Sequence, residues 1–382
     1  MIPNIVHIIS DLGPGGAQVL LFDILNNLDQ QGDLNFSVIT INSGEYIEQF
    51  ERSGIKVYNI KEKGLLNPKI YFKLKKLISE IDPEIVHTHL HKADFYGRIA
   101  AKNCKIPVII STCHNYSTSH NSANENKITF IDRIDDLVIK YSESYIVAIS
   151  KVVQKYLINR NKSHENIIKV IYNGVNIQKL KNVLNADERI VFRKSLNINE
   201  DDYVLAIIGR LEKQKGHLFF LESIREMLID KIKIKLLIVG DGILRNEIQK
   251  FISENNLEGQ VCLHKFEKNI EPFIEISDLI CVPSLWEGFG IVILEGMIKS
   301  KIVLASDVGG IPEIITNGYN GFLYGTKNKK DLIEKIKNIQ NDKYDIQLIK
   351  RNALKTVKEK FDISEKSEQY FKMYINLLSQ RT

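Results

Sequence analysis

The hydrophobic residues of this chain fall into short apolar runs that are separated by longer amphipathic stretches. Runs such as NIVHIIS (4–10) and FSVITI (36–41) are rich in Ile and Val and predict buried strands. Stretches such as AQVLLFDILNNL (17–28) repeat apolar residues every three or four positions and predict helices. Strands that alternate with helices are typical of crossover units on a parallel sheet buried on both faces.

This pattern occurs twice along the chain. Residues 178–200 between the two series are polar and predict no strand, and ISEKSEQYFKMYINLLSQ (363–380) predicts a lone final helix. At 382 residues the chain is long for a single core. The sequence therefore predicts an α/β protein with two Rossmann-like, doubly wound parallel-sheet lobes. The remaining predicted strands are KVYNI, EIVHTH, PVIIST, YIVAIS and IIKVIY in the first lobe and YVLAIIG, KIKLLIVG, QVCLH, DLICVPS, KIVLAS and GFLY in the second.

Composition places the chain among globular proteins, with 44% hydrophobic and 26% charged residues. No apolar run approaches the roughly 18 residues that span a bilayer. The opening MIPNIVHIIS predicts a first strand rather than a signal peptide. Four scattered cysteines without a CxxC pattern favour reduced thiols, so we expect a cytoplasmic protein.

The formal net charge of +5 permits an anionic partner without identifying one. The segment PKIYFKLKKLIS is locally basic, and Ile70, Leu74, Leu77 and Ile78 share one helical stripe. An ordinary surface helix explains this segment. The alternative is a basic helix at residues 69–80 that associates with acidic lipids at the inner face of the membrane.

The stretch Glu287-Gly-Phe-Gly-Ile-Val-Ile-Leu-Glu295 follows a predicted strand. In open parallel sheets, ligands bind beyond the carboxyl ends of strands, and a cleft between two lobes is the expected site. Gly288 and Gly290 would let backbone amides approach a ligand, and the first turn of a following helix would attract an anion. Glu295 could accept hydrogen bonds from hydroxyls beside that anion, which suits a nucleotide-sugar. The alternative is a strand at Ile-Val-Ile-Leu flanked by two solvated acids.

A basic loop, GRLEKQKGH (209–217), follows the strand YVLAIIG. Arg210 could hold a diphosphate with two hydrogen bonds, and Lys215 could act as a point charge, with Gly216 at the turn. Either residue alone would be an ordinary solvated cation. Their shared position after a strand favours diphosphate binding.

Two features of the first lobe are weaker signals. Gly13, Gly15 and Gly16 precede a helix and form a turn that suits a phosphate, although neither a P-loop nor a GxGxxG pattern is present. His114 follows a strand and opens the polar loop 115–127. It could hydrogen-bond a sugar hydroxyl or stabilise charge, or it could be an ordinary loop histidine.

The stretch HTHLHKAD raises the question of a metal. His87 and His89 would share one face of a strand, with His91 and Asp94 nearby, so a metal site is conceivable. We favour a packing and hydrogen-bonding role at the strand's end. No Asp-x-Asp pair occurs, and a divalent metal on a diphosphate usually needs clustered carboxylates. We therefore expect no metal, with cations and helix termini neutralising the diphosphate.

These segments, in this order, resemble the retaining glycosyltransferases of family 4, or glycosyl transferases group 1, which have the GT-B fold. Glu287 and Glu295 match the family's Glu-x7-Glu motif. The resemblance covers nearly the whole chain and implies an acceptor-binding lobe at residues 1–177. It also implies a donor-binding lobe at 178–363 and a helix at 364–382 that packs back onto the first lobe. The matching segments are GPGGAQ, EIVHTHLHKADFYGRIAA, STCH, IYNGVN, GRLEKQKGH, VGDG, VPSLWEGFGIVILEG and GGIPEIITNGYNGFL.

The resemblance also implies a role for each matching residue. Arg210 and Lys215 would hold the donor diphosphate, and Glu295 the ribose. Glu287 would contact the transferred sugar, and His114 would lie near that sugar and the attacking hydroxyl. His114, Glu287, Arg210 and Lys215 are thus the expected catalytic residues, with no metal or other cofactor. The further expected donor-binding residues are Gly15, Gly16, Phe266, Gly288, Phe289, Gly290 and Ile291.

Two positions depart from the family pattern. Gln18 stands where many relatives carry Glu, which leaves the contact on the acceptor side open. LHKF (263–266) replaces the common Phe-x-Gly beside the base, so the base preference is open as well.

The implied reaction transfers a hexosyl or N-acetylhexosaminyl group, with retention, from a nucleoside-diphosphate sugar to a hydroxyl of a glycan or lipid-linked acceptor. UDP is the expected nucleotide, bacterial cell-surface polysaccharide synthesis is the expected process, and no nucleic acid is an expected partner. A sugar-nucleotide 2-epimerase-like enzyme is one alternative. A non-catalytic nucleotide-sugar-binding protein of the same fold is another, but it should lack part of the Arg/Lys/Glu/Glu set.

Overall fold

The computed structural model describes residues 2–29, 32–64, 66–115, 129–178, 184–230 and 233–380. Most of the predicted polar loop after His114 and part of the predicted polar segment between the lobes lie outside these residues. The chain divides into two compact units, one of Met1–Gly174 with Ile363–Thr382 and one of Val175–Asp362. Within the described residues, no helix combines the length and apolarity needed to span a membrane.

Every predicted strand is present, and all of them lie in parallel sheets. Their bounds are β1 (Asn4–Ile9), β2 (Asn35–Thr40), β3 (Lys56–Asn59), β4 (Ile85–His89), β5 (Val108–Cys113), β6 (Tyr145–Ala148), β7 (Ile168–Val170), β8 (Tyr203–Ile208), β9 (Ile234–Val239), β10 (Val261–His264), β11 (Leu279–Val282), β12 (Ile302–Ser306) and β13 (Phe322–Tyr324).

Most helices lie between these strands, as the amphipathic stretches predict, and the last three follow β13. Their bounds are α1 (Gly16–Asp29), α2 (Ile47–Arg52), α3 (Pro68–Ile81), α4 (His91–Asn103), α5 (Phe130–Ser142), α6 (Lys151–Arg160), α7 (Ala186–Ser195), α8 (His217–Asp230), α9 (Arg245–Glu254), α10 (Glu271–Ile276), α11 (Ile291–Ile298), α12 (Ile311–Ile314), α13 (Lys329–Gln340), α14 (Ile346–Lys360) and α15 (Ile363–Ser379).

The first unit is a sheet of seven strands in the order β3-β2-β1-β4-β5-β6-β7. On one face, Val6, Ile8 and Val86 pack in a core cluster that includes residues of α3 and α4. On the other face, α15 packs against α1. Tyr374 of α15 reaches the sheet, where its hydroxyl lies 2.8 Å from His87 Nδ1.

The second unit is a sheet of six strands in the order β10-β9-β8-β11-β12-β13. Its strands are almost wholly buried, because helices cover both faces, and this explains why they appear in the sequence as continuous apolar runs. The strand order changes direction between β8 and β11. That change brings the carboxyl ends of β8 and β11 side by side.

Helix α3 confirms the predicted basic amphipathic segment. Ile70, Leu74 and Ile78 are buried, as the stripe predicts. One of the lysines is engaged within the first unit, since Lys73 Nζ lies 2.7 Å from Glu62 Oε1. That contact reduces the basic charge that this helix offers to a partner.

Three histidine rings form a buried stack on β1 and β4. His7 pairs in register with His87, and His7 Nδ1 lies 2.9 Å from His89 Nε2. Both ring nitrogens of His87 have partners, Tyr374 at 2.8 Å and Thr112 at 2.8 Å. One nitrogen of each of the three rings lies within 4.8 Å of the others, a spacing that a metal ion could bridge. The contacts with protein groups favour the packing and hydrogen-bonding interpretation.

This stack should make the protein sensitive to acid. Burial lowers the pKa of His7 to about 3, and the pKa values of His87 and His89 lie well below the usual value for the same reason. Below about pH 6.5 these histidines bind protons in the unfolded chain but remain neutral in the folded chain. The free energy of unfolding should therefore decrease as the pH is lowered. We expect up to about 1.4 kcal/mol per pH unit for each histidine between pH 6.5 and 5.

Thermal unfolding of the full chain across this pH range checks the prediction. Substituting His7→Phe removes one titrating ring and keeps an aromatic shape. The variant should therefore lose less stability on acidification than the parent. Equal losses in the two proteins would contradict the role assigned to this histidine.

Candidate active site

The loops that follow β8 and β11 meet at the carboxyl edge of the second sheet, where the strand order changes direction. Lys215 Nζ lies 2.5 Å from Glu287 Oε2, and Ser284 Oγ donates a hydrogen bond to the same oxygen at 3.0 Å. The side chains of Glu287 and Lys215 are 9% and 22% exposed. Two residues predicted from separate motifs therefore form one shielded ion pair at a position where open sheets bind ligands.

Gly216 allows the two loops to approach each other. Its φ is +68°, and a Cβ atom built there would lie 2.0 Å from the carbonyl oxygen of Pro283. The loops are also joined by hydrogen bonds on both sides of Gln214. Its carbonyl accepts from the amide of Leu285 at 2.7 Å, and its side-chain amide donates to the carbonyl of Trp286 at 3.1 Å. Lys215 is thereby held against the loop that carries Glu287.

The turn after Glu287 leads into a helix, which confirms the helix expected at the start of IVILEGMIKS. Gly290 has a φ of +96°, and α11 begins at the next residue, Ile291. The alternative of a strand at Ile-Val-Ile-Leu is wrong. The turn is supported by Gly310, whose amide donates to the carbonyl of Glu287 at 2.9 Å and whose Cβ position would lie 2.3 Å from the carbonyl oxygen of Gly288. The first turn of α11 therefore begins four residues after Glu287 of the ion pair.

Arg210 follows β8 at the same edge. Its side chain is 50% exposed, and its Nη1 lies 3.1 Å from Glu212 Oε1. An ion pair as exposed as this one contributes little to stability. The backbone beside it is fixed, because the Leu211 amide donates to the carbonyl of Asp241 at 2.8 Å. The guanidinium can therefore exchange its partner for an anionic ligand at small cost.

The remaining predicted donor-site residues of this unit differ in accessibility. Glu295 lies in the second turn of α11 and is partly exposed. Phe266 follows β10 and is also partly exposed. Phe289 is 1% exposed and packs edge-on against Phe361, so its side chain belongs to the core. Only its backbone would be available to a ligand, in agreement with the role that the resemblance gives it.

The glycine loop of the first unit is shaped by contacts with Gln18. Its side-chain amide donates to Asp11 Oδ1 at 3.1 Å, and a Cβ atom on Gly15 would lie 2.4 Å from Gln18 Oε1. Gly16 begins α1. Gln18 is 5% exposed, so its amide holds this loop in place. The hydrogen bond to Asp11 requires an amide donor, which explains why position 18 carries Gln rather than Glu.

His114 lies directly after β5 and is partly buried. Burial lowers its pKa to about 4, so the ring is neutral at pH 7. Its Nε2 lies 3.4 Å from His89 Nδ1, which connects it to the buried histidine stack. A neutral ring held in this way can accept or donate one hydrogen bond, as contact with a sugar hydroxyl requires.

Sequence reasoning missed three residues that shape these sites. Gln214 and Ser284 act through hydrogen bonds whose partners lie far away in sequence. His7 joins the histidine stack because β1 and β4 are neighbours. The predicted doubly wound topology, in which these two strands lie side by side, was the one signal that could have placed His7 beside His87.

The loops and the helix at one edge of the second sheet thus carry Arg210, Lys215, Glu287 and Glu295. Lys215 and Arg210 can bind a diphosphate, and Glu295 can accept hydrogen bonds from hydroxyl groups. Among all the residues that the structure describes, the histidine stack of the first unit is the one group of three histidine, cysteine or carboxylate ligands close enough to hold a metal ion. No such group lies among the described residues at this edge of the second sheet. The arrangement suits a ligand that combines a diphosphate with sugars.

Comparison with known proteins defines the class. Residues 14–179 match the family model described as Glycosyltransferase Family 4, and residues 188–360 match Glycosyl transferases group 1. The solved structure of Anabaena HepE in complex with UDP-glucose superposes with a TM-score of 0.84 at 22% identity, covering 98% of this chain and 100% of that one. The fold is that of a GT-B glycosyltransferase.

The chain belongs to glycosyltransferase family 4, the glycosyl transferases group 1. It is 25% identical to the UDP-Gal:alpha-D-GlcNAc-diphosphoundecaprenol alpha-1,3-galactosyltransferase of Escherichia coli, over 81% of this chain and 80% of that one. It is 27% identical to the N,N'-diacetylbacillosaminyl-diphospho-undecaprenol alpha-1,3-N-acetylgalactosaminyltransferase of Campylobacter jejuni, over 95% of this chain and 97% of that one.

Proposed function

We propose that this glycosyltransferase moves a hexosyl or N-acetylhexosaminyl group from a UDP-sugar to a hydroxyl of a lipid-linked glycan, with retention at the anomeric carbon and without a metal. The observation that carries the proposal is the shielded ion pair of Lys215 and Glu287 at the carboxyl edge of the second sheet. An ammonium group beside a carboxylate would suit the neighbouring diphosphate and sugar of a donor, which supports the proposal.

Each part of the donor finds a suitable partner at this edge. The diphosphate would bind Lys215, Arg210 and the first amides of α11. The ribose hydroxyls would donate to Glu295, and the hydroxyls of the transferred sugar would donate to Glu287. The HepE structure contains UDP-glucose, which supports a uridine nucleotide here.

The chemical step breaks the bond between the anomeric carbon and the diphosphate oxygen, and forms a bond from that carbon to the acceptor oxygen. Negative charge grows on the leaving diphosphate as the sugar acquires oxocarbenium character. Fixed cations and amides that already point at this charge stabilise it with little reorganisation. The acceptor hydroxyl attacks the anomeric carbon on the face from which the diphosphate leaves, which accounts for retention, and its proton passes to an oxygen of that diphosphate.

His114 is the residue of the first unit that we assign to the reaction. Its neutral ring would accept or donate a hydrogen bond at the transferred sugar, beside the attacking hydroxyl. Gly15 and Gly16 would present backbone amides to the phosphates. These assignments rest on the family resemblance together with the position of His114 just after β5 and of the two glycines at the start of α1.

The acceptor is inferred from the relatives. The names of the Escherichia coli and Campylobacter jejuni enzymes both contain a sugar on diphosphoundecaprenol. We extend that acceptor class to this chain, which implies work at the inner face of the membrane. The exposed lysines of α3 agree with an anionic, lipid-linked substrate.

A donor screen followed by product analysis tests the proposed function. One UDP-sugar should raise the melting temperature of the protein more than sugars without a nucleotide do, because a ligand that binds only the folded state stabilises it. That donor should then be consumed with transfer to a saccharide-diphosphate lipid. Release of an altered nucleotide-sugar without any acceptor would instead identify an epimerase. Binding without turnover in the presence of both substrates would identify a non-catalytic protein.

A further inference from the structure

Helix α5 turns its acidic side chains inwards. Asp135 bonds to Arg98 Nη1 at 2.6 Å and to Arg160 Nη2 at 2.7 Å, and Asp136 lies 2.6 Å from Arg160. Asp132 is fully buried and accepts from the Tyr156 hydroxyl at 2.9 Å. Burial opposes ionisation, but the two arginines lower the pKa of Asp135 to about 2. The helix therefore uses its three aspartates to bind buried cations.

The outward face of α5 carries apolar and basic residues instead. Phe130, Leu137 and Tyr141 are 77%, 68% and 52% exposed. They recur at helical spacing with Arg133 and Lys140, which are exposed and make no ion pair with a described residue. An ordinary surface helix has the opposite arrangement, with apolar residues inside and acids outside. Some partner that is both apolar and anionic would suit this face.

The apolar surface continues across α4 to α3. Asn103 of α4 links two tyrosines, since its amide donates to the Tyr71 hydroxyl at 2.8 Å and its carbonyl oxygen accepts from the Tyr141 hydroxyl at 2.6 Å. Beside this link runs an open groove of about 430 Å³. It is lined by Leu66, Pro68, Tyr71, Phe72, Phe95, Tyr96 and Ile99.

On α3 the same combination appears. Phe72 is 66% exposed, and the residues one turn away on its stripe are Lys69, Lys75 and Lys76. Lys76 lies 3.7 Å from Glu80, but both side chains are largely exposed, so this contact is weak. Lys69 and Lys75 make no ion pair with a described residue. Exposed apolar residues interspersed with basic ones therefore occur on both α3 and α5.

We propose that this surface, formed by the outward faces of α3 and α5 together with the groove between α3 and α4, docks on an anionic phospholipid bilayer. Interfacial helices bind membranes by inserting Phe and Leu while Lys and Arg contact acidic headgroups, and tyrosines are enriched at that depth. Each basic residue near such a surface adds attraction. A second copy of this chain fits less well, because it would bring like charges together.

The docking surface would bring the enzyme to a lipid-linked acceptor, which is located at a bilayer. Its biological role therefore rests on the proposed function. Its evidence is independent, however, because every residue involved lies in the first unit and outside the donor site. Vesicle binding can therefore be measured without donor or acceptor.

Co-sedimentation of the full chain with vesicles tests the docking surface. The wild type should partition onto vesicles of phosphatidylglycerol and phosphatidylcholine in equal parts, and much less onto phosphatidylcholine alone. The double variant Phe72→Ser/Leu137→Ser should bind at least about tenfold more weakly, because two large apolar side chains no longer leave water. The variant Arg133→Gln/Lys140→Gln should bind anionic vesicles several-fold more weakly, and added salt should affect it less.

Val191→Ser/Ile243→Ser is the matched control, because both residues are exposed apolar residues of the other unit, at 67% and 86%. It should bind vesicles within about twofold of the wild type, since neither residue lies on the docking surface. Wild-type binding that is equal on the two kinds of vesicle, or unchanged in Phe72→Ser/Leu137→Ser, would overturn the proposal. The proposal would also be overturned if the wild type formed a dimer that does not bind vesicles, and if Phe72→Ser/Leu137→Ser made that dimer dissociate.

Transfer to a water-soluble, short-chain acceptor separates this proposal from the proposed function. Phe72→Ser/Leu137→Ser should keep wild-type transfer in that assay while losing vesicle binding. Transfer without vesicle binding by the wild type would refute the docking surface and leave the function standing. Vesicle binding without transfer of any sugar would do the reverse.

Discussion

Replacing Lys215 with methionine should reduce kcat/KM for sugar transfer by about two to three orders of magnitude, the effect of removing one group that stabilises charge in a transition state. Methionine keeps most of the side-chain volume and removes the ammonium. The loss should be larger than for Arg210→Ala, which removes a half-exposed cation and should cost about 1.5–3 kcal/mol of transition-state binding.

The size of the effect follows from the burial of the ion pair. Lys215 contacts the least exposed carboxylate of the site, and its removal leaves Glu287 Oε2 with the hydrogen bond from Ser284 Oγ. Leaving a shielded carboxylate without its cation is unfavourable, so the Glu287 side chain should move to a new position. The substitution should therefore weaken both diphosphate binding and the orientation of the sugar, which would appear in kcat as well as in KM.

Lys213→Met provides the control. Lys213 is two residues away, is exposed and makes no ion pair with a described residue. Its replacement should leave steady-state rates within about twofold of the wild type, as expected for a surface position. If Lys215→Met retained the activity of Lys213→Met, the assignment of Lys215 to the donor diphosphate would be wrong.

Substituting Gly216→Ala should both destabilise the second unit and abolish most donor binding. Alanine at a φ of +68° is strained, and its Cβ would overlap the carbonyl oxygen of Pro283. Left-handed backbone and overpacking together should cost about 2–4 kcal/mol. Relief of the overlap requires the loop after β8 to move away from the loop after β11, which separates Lys215 from Glu287.

Gly259→Ala is the matched substitution, since nothing lies within 4 Å of a Cβ atom at that exposed turn. It should change neither the melting temperature by more than a degree or two, as for ordinary surface changes, nor donor affinity. Calorimetric titration with UDP, combined with thermal unfolding, checks both variants. Wild-type affinity in Gly216→Ala would show that contact between the two loops is unnecessary for the site.

Much of the fold followed from the pattern of hydrophobic residues. Strands buried on both faces consist almost entirely of apolar residues, so every strand from β1 to β13 was visible in the sequence. The helix after Glu287 was expected because IVILEGMIKS (291–300) leaves room for a short helix before the strand KIVLAS. The motifs proposed for the donor site stood out because they lie in the segments that follow predicted strands.

Features that depend on long-range partners were not visible. Nothing near Lys215 in sequence indicates that its ammonium lies against Glu287, since that contact depends on how two loops pack. Likewise, nothing in the sequence around the three aspartates of α5 indicates that they turn inwards. They turn inwards because Arg98 and Arg160, which come from neighbouring helices, require counter-charges in a buried layer.

The most direct test of the donor site is a crystal structure of the protein soaked with the UDP-sugar selected by the donor screen. We expect diphosphate oxygens within hydrogen-bond distance of Lys215 Nζ and of the Arg210 guanidinium, with ribose hydroxyls on the Glu295 carboxylate. A nucleotide-sugar bound elsewhere, with these three side chains unchanged and without contact to it, would contradict the proposed site.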